Sequence, residues 1–101
     1  MRVQFHPLAR AELYRVAEWY EVRRAGYGDQ FYAEIDVAIA QLRDFPGAQP
    51  LIGHHCRRML LNRFPYSLIY QRVDPETLLV VAVAHNKRQA GYWRRRLIVG
   101  R

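Results

Sequence analysis

The sequence predicts an α+β domain in the order β-α-α-β-β-β, an antiparallel meander sheet with a helical hairpin packed on one face and a short C-terminal basic tail. Three observations predict it. Two stretches in the first half repeat apolar residues at helical spacing, and only a few residues separate them. From His54 onward the period changes, and three strand-like runs follow with tight turns between them. Half of the 101 residues are hydrophobic, which suffices for one core in a chain too short for a second, so a single domain over residues 1–101 is expected.

The elements follow in order. Arg2-Val3-Gln4-Phe5-His6 alternates polar and apolar and reads as a short strand. Pro7 suits the first position of a helix, where its missing N–H would have no partner anyway. From Pro7 to about Arg24, Ala9, Leu13, Val16, Ala17 and Tyr20 form one stripe; Leu8 and Trp19 lie off it and suggest a second contact. Gly26 is a natural helix stop, and Asp29 suits the start of a second helix running to Phe45. The stripe of that helix is Phe31, Ile35, Ala38, Ile39, Leu42 and Phe45. Pro46-Gly47 ends it, and the segment through Gly53 reads as loop.

Arg57 to Arg63, Tyr66 to Val73 and Leu78 to Ala84 then read as strands. Pro65 cannot donate to a ladder, so it belongs in the turn between the first two. Asp74-Pro75-Glu76 closes the second and third as a hairpin. The pattern leaves the first strand's neighbour open. Leu13, Val16, Phe31, Ile35 and Leu42 are expected to pack against Ile69, Val81 and Val83.

The charge is unevenly spread. The formal net charge is +7, yet residues 1–50 balance to −1 and residues 51–101 to +8. Fifteen of the sixteen basic residues are arginine. Arginine forks onto carboxylates and phosphates, which suits an anionic partner, although a GC-rich coding sequence would give the same bias. Cys56 is the sole cysteine, so no intrachain disulfide can form. Neither a signal core nor a membrane-length apolar run is present, and a cytoplasmic protein is expected with no membrane partner.

The stretch from Leu78 to Arg96 organises the rest. Its apolar first part has no alternation, so as a strand it would be covered on both faces. It then changes into His85, Asn86, Lys87, Arg88, Tyr92, Trp93 and the triplet Arg94-Arg95-Arg96. His85, Arg88 and Tyr92 could bring an imidazole, a guanidinium and a phenol together, groups with which a ribonuclease moves a proton and steadies a phosphorane. The plainer alternative makes His85 a strand-end residue, Tyr92 and Trp93 core caps, and the arginines a solvated face. Two other groupings carry less. His54-His55-Cys56 looks like a metal site, but neighbours on an extended chain point to opposite faces, and no metal is expected. Glu18 and Glu21 fit a solvated helix face with Arg15 and Arg24. No cofactor is expected.

Four signatures carry a resemblance. One is Phe5-His6-Pro7 with Ala9, Glu12 and Leu13, leading to Trp19-Tyr20-Glu21. The second is Gly26-Tyr27-Gly28-Asp29-Gln30-Phe31. The third is Arg63-Phe64-Pro65-Tyr66-Ser67-Leu68-Ile69-Tyr70, and the last is Val83-Ala84-His85 with Arg88, Gly91-Tyr92-Trp93 and Arg96. In this order, over nearly the whole chain, they resemble the RelE/ParE superfamily of toxins from bacterial type II toxin–antitoxin systems, and most of all its ParE-type branch.

The resemblance implies a toxin neutralised by a cognate acidic antitoxin, whose C-terminal segment wraps it as helix and extended chain. Operator DNA would be met only through that antitoxin. RelE-type members cut mRNA in the ribosome with several Lys and Arg residues and a C-terminal tyrosine; ParE-type members poison DNA gyrase without chemistry of their own. Tyr92 falls where the RelE-type tyrosine sits, and Arg58 can stand for one strand lysine. Leu60, Ser67 and Asn86, however, occupy positions where that branch has cations, so the comparison favours gyrase. The ribonuclease reading, with His85, Arg88 and Tyr92 as catalytic residues, stands as the alternative, and a non-toxic relic as a third. Arg57, Arg58, Arg63, Arg88, Tyr92, Trp93, Arg94, Arg95 and Arg96 are the candidates for contact with target or antitoxin. The core strand ends near Ala84, so the strand order is expected to survive removal of everything after Asn86.

Overall fold

A computed structural model describes residues 1–53 and 55–98. It comprises β1 (Arg2–Phe5), α1 (Pro7–Arg23), α2 (Tyr27–Asp44), β2 (Leu51–Ile52), β3 (Cys56–Leu60), β4 (Tyr66–Asp74) and β5 (Thr77–His85), then a 3-10 turn at Arg94–Arg96. The strands form one sheet in the order β1-β5-β4-β3-β2. β1 lies parallel to β5, with Phe5 opposite Val80 as its last paired residue. The other neighbours are antiparallel.

Local chemistry sets the hairpin. The His6 Nδ1 accepts from the Leu8 N–H at 3.0 Å, and Pro7 opens α1 just behind that cap. Between the helices Gly26 sits at φ 85, a conformation that a side chain disfavours. Glu21 is not part of a merely solvated face, because its carboxylate accepts from the Gly26 N–H at 3.0 Å and the Gly28 N–H at 3.0 Å. Gly28 lets the helices come together: a Cβ there would stand 2.8 Å from the Ala17 carbonyl oxygen.

The helices cover one face of the sheet. Leu13, Phe31, Ile35 and Leu42 are buried there with Leu68, Tyr70, Val80 and Val83, and Val16 packs beside them. Tyr20, Phe31, Phe64 and Tyr66 meet at the hairpin's loop end, with Tyr20 and Phe64 edge to face and their centroids 4.9 Å apart. Phe64 and Tyr66 of the Arg63–Tyr70 signature are therefore core residues. Phe45 is not: the α2 stripe ends at Leu42, and Phe45 is exposed. Leu8 and Trp19 are about half exposed, and Trp19 is covered on one side by the Arg23 guanidinium.

Two further expectations are corrected. Ile69 and Val81 face away from the helices and belong to a second cluster with Cys56, Ala82, Ala84 and Trp93. The cause is a bulge: Ile69 pairs with Ala82 and Tyr70 with Val80, so Val81 is an extra residue in β5. One added residue reverses the alternation and puts Val81 and Val83 on opposite faces. The segment before Gly53 is also not all loop, since Leu51 and Ile52 pair with Arg57 and Cys56 as the edge strand β2.

Candidate functional site

The site grows from a buried carboxylate. Glu12 lies within the apolar stripe of α1, between Ala9 and Val16, so helix geometry turns it inward. Its side chain is only 5% exposed. Beyond Val80 no strand flanks β5 on the β1 side, which would leave main-chain groups of a central strand without partners. Glu12 and Arg96 supply them. The Val83 N–H donates to Glu12 Oε1 at 3.0 Å, and the Arg96 guanidinium donates to the Val81 carbonyl at 3.0 Å. Arg96 also forks onto both Glu12 oxygens, at 2.9 and 3.1 Å. A buried charge pair of this kind holds only when its remaining valences are met, and here the edge of β5 meets them.

Tyr92 and Arg88 complete the cluster. The Tyr92 hydroxyl donates to Glu12 Oε2 at 2.9 Å, and Arg88 lies over the Tyr92 ring, 3.5 Å from its centroid. Arg88 Nη1 stands 3.7 Å from Glu12 Oε2 and is half exposed. Burial, and then the hydrogen bond and charge of Glu12, push the Tyr92 phenol up to about 12. His85 lies edge-on to Tyr66 at 5.0 Å and borders a recess of about 180 Å³ with Glu12, Trp19 and Arg88. Its Nδ1 accepts from the Lys87 N–H at 3.0 Å, so in the neutral ring the proton sits on Nε2.

A second polar group lies on the sheet face opposite the helices. Arg58 donates to the Ser67 hydroxyl at 3.1 Å and to Asn86 Oδ1 at 3.3 Å, and the Ser67 hydroxyl donates to the same Asn86 oxygen. Leu60 pairs with Ser67 in the β3–β4 register and is exposed. The three positions that carry neutral residues thus gather around one cation, Arg58. A shallow recess of about 80 Å³ joins this group to His85, Arg88 and Tyr92.

The remaining candidates divide by role. Trp93 is buried under the second face against the cluster of Ile69 and Val81. Beyond it, Gln71 holds the tail by donating to the Ile98 carbonyl at 2.9 Å and accepting the Ile98 N–H at 2.6 Å. Arg96 is structural, with its side chain 13% exposed. Arg94 and Arg95 are exposed, and Arg94 borders a largely apolar groove of about 550 Å³ between the tail and β2–β3, with Ile52, Trp93 and Leu97. Arg57 donates to the Gln49 carbonyl and Arg63 to Gln30, both at some distance from the Glu12 cluster in the fold. Cys56 lies in the same apolar groove, its thiol donating to the Ile52 carbonyl at 3.0 Å and pushed up by burial; it is a packed side chain, not an activated nucleophile.

Among the described residues, no group of three His, Cys, Asp or Glu side chains is placed to hold a metal. His54 of the His54-His55-Cys56 run lies outside those residues. No helix among them is long and apolar enough to cross a membrane.

Glu12 belongs to the Phe5–Leu13 signature, which by itself implies no role for it. The signal was present: an acid at the centre of an apolar helical stripe must be paired if it is buried.

A family model described as the ParE toxin of type II toxin–antitoxin systems, parDE, matches residues 3–90. The chain belongs to the ParE toxin family. Among solved structures it is similar to a chain of the chromosomal ParDE toxin–antitoxin system from P. aeruginosa. That match has a TM-score of 0.59 and 16% identity, over 84% of this chain and 95% of that one. At that identity the likeness is one of fold. No curated protein matches the sequence. The family match stops at residue 90, so Tyr92, Trp93 and Arg94–Arg96 lie outside it, although they pack onto residues within it.

Proposed function

We propose that this ParE-family toxin acts by binding, as an inhibitor of DNA gyrase, and carries out no bond chemistry of its own. A cognate acidic antitoxin neutralises it and is its only link to operator DNA; target and antitoxin alike imply a cytoplasmic protein. The observation that carries the non-catalytic reading is the state of Tyr92. A general acid or base works best with a pKa near the operating pH, whereas this phenol is pushed up to about 12 and its hydroxyl is engaged by Glu12. The neutral group of Leu60, Ser67 and Asn86 adds support, since it leaves Arg58 and Arg88 as the cations of the adjoining recess, and each donor to a cleavage transition state is worth about 3 kcal/mol. The half-exposed Arg88 and the exposed Arg94 and Arg95 remain for contact with the target.

The ribonuclease reading keeps one supporting observation, the recess that brings His85, Arg88 and Tyr92 to a common wall. Purified protein is therefore tested for gyrase supercoiling, for mRNA cleavage on programmed ribosomes, and for growth arrest without antitoxin. The expected result is lost supercoiling, no cleavage, and toxicity retained by Tyr92→Phe but lost in Arg94→Glu/Arg95→Glu. Codon-positioned cleavage with gyrase unaffected would replace this reading by the ribonuclease, with its antitoxin unchanged. Antitoxin association should slow with added salt and weaken on charge reversal at Arg57, Arg58 and Arg63.

A further inference from the structure

The tail closes one side of a groove and is itself a bonded turn. The Arg94 N–H donates to the Gly91 carbonyl at 3.1 Å, the Arg96 N–H to that of Trp93 at 2.9 Å, and the Leu97 N–H to that of Arg94 at 3.2 Å. Facing this turn are Ile52 of β2 and Cys56 of β3. The space between is about 550 Å³, within the range of about 300–1,000 Å³ that takes small molecules. Its walls are largely apolar, with Trp93 and Leu97 on the tail side against Ile52 and Cys56. A surface of that kind gains from being covered.

Two arginines give the groove a sign. Gly91 sits at φ 85, and a Cβ there would stand 2.8 Å from Arg94 Nε and 3.0 Å from its Cζ. The absence of that Cβ lets the Arg94 side chain fold back along the groove wall. The Cys56 thiol on the facing wall is pushed up by burial and drawn back by the Arg94 charge, so the guanidinium lies within reach of that wall. Arg58 borders the groove as well as the recess beside it. Its Nε and Nη2 are bound to Ser67 and Asn86, while Nη1 has no partner among the described residues. No acid lines either recess, and the sequence after Glu76 contains none. Apolar walls and uncompensated arginines thus share one small cavity.

We infer that this groove binds a small aromatic carboxylate. Arg94 takes the carboxylate in its fork, and Arg58 adds to the field that attracts it. The ring lies between Ile52 and Leu97, where the indole of Trp93 offers an aromatic contact and a guanidinium plane accepts a flat group better than an alkyl chain. A second copy of this chain is a poor occupant, since it would set arginine against arginine. The site is independent of the target, and stands whether the toxin acts on gyrase or on the ribosome.

The probe is 2-naphthoate, titrated into the full chain and followed by the amide signals of Gly91 and Arg94 and the indole N–H of Trp93. These signals should shift to saturation while the indole N–H of Trp19 stays in place. Affinity should exceed that for 2-naphthylmethylamine, the same ring with a cation, by about tenfold or more. Arg94→Gln should lower naphthoate affinity about tenfold with an unchanged melting curve, and Arg95→Gln, which removes a charge outside the groove, should leave it as it was. Should Arg94→Gln melt early, the choice between naphthoate and the amine in the unsubstituted protein decides. Equal binding of the amine would show an apolar hollow without charge selection and overturn the inference. Decanoate binding as tightly as naphthoate would overturn the aromatic class, and shifts confined to Trp19 would overturn the site. Naphthoate affinity that falls as the chain is concentrated would show a second copy covering the groove, and would overturn the small ligand.

Discussion

The two faces of the sheet are covered by different means. On one, two helices lay apolar stripes over Leu68, Tyr70, Val80 and Val83, and the burial is nearly continuous. On the other, Ile69, Val81 and Ala82 lie under Trp93 and a tail that polar bonds from Glu12 and Gln71 hold in place. Non-directional burial tolerates small shifts, whereas a tail fixed by a few directed bonds has one position or none. The helix face makes the molecule stable; the tail face orients the arginines.

Breaking each face should give different failures. Ile35→Asp places an unpaired charge under the helices and should abolish the cooperative melting transition seen by circular dichroism. Trp93→Ala should cost about 3 kcal/mol, read from urea unfolding, with the sheet and hairpin still formed. Glu12→Gln sets an amide N–H where Arg96 and Tyr92 both donate. It should cost about 2 kcal/mol and, more tellingly, open Arg94–Arg96 to trypsin while the rest resists. If cleavage there stays as slow as in the unsubstituted protein, Glu12 does not hold the tail.

The smallest effect sharpens the comparison by titration. The folded Tyr92 pKa is raised from 10.0 to about 12, so the unfolded chain loses this proton first. Stability that is intact below pH 10 should fall as pH rises toward 12. Absorbance at alkaline pH should show a last tyrosine ionising near 12 that Tyr92→Phe removes, with an otherwise modest loss of about 1 kcal/mol.

Much of this was legible from periodicity. The hairpin, the meander and the turn at Pro65 follow from spacing and from what proline cannot do. The face of β5 was not legible, because Leu78 to Ala84 contains no polar residue to mark the phase, and the bulge at Val81 reverses it. The parallel pairing of β1 with β5 joins residues some 75 positions apart, beyond the reach of any local pattern, and β2 is too short to alternate. At the site, the sequence named Arg88, Tyr92 and Arg96 as a basic-aromatic group but read the tail as separable from the core. The opposite holds: removing everything after Asn86 would strip Glu12 of Tyr92 and Arg96 and uncover Ile69 and Val81.

The Glu12–Arg96 pair spans 84 positions, and proteins are made from one end. At the usual 5–20 residues per second, the ribosome delivers the guanidinium roughly 4–17 s after the carboxylate it neutralises. Throughout that interval α1 carries a solvated charge on the face that must later be buried. Desolvating it alone would be costly, so the helical hairpin is kept from sealing against a half-made sheet. The acid thus ties an early helix to a late tail: the buried charge on α1 gains its partner only after Arg96 has been made.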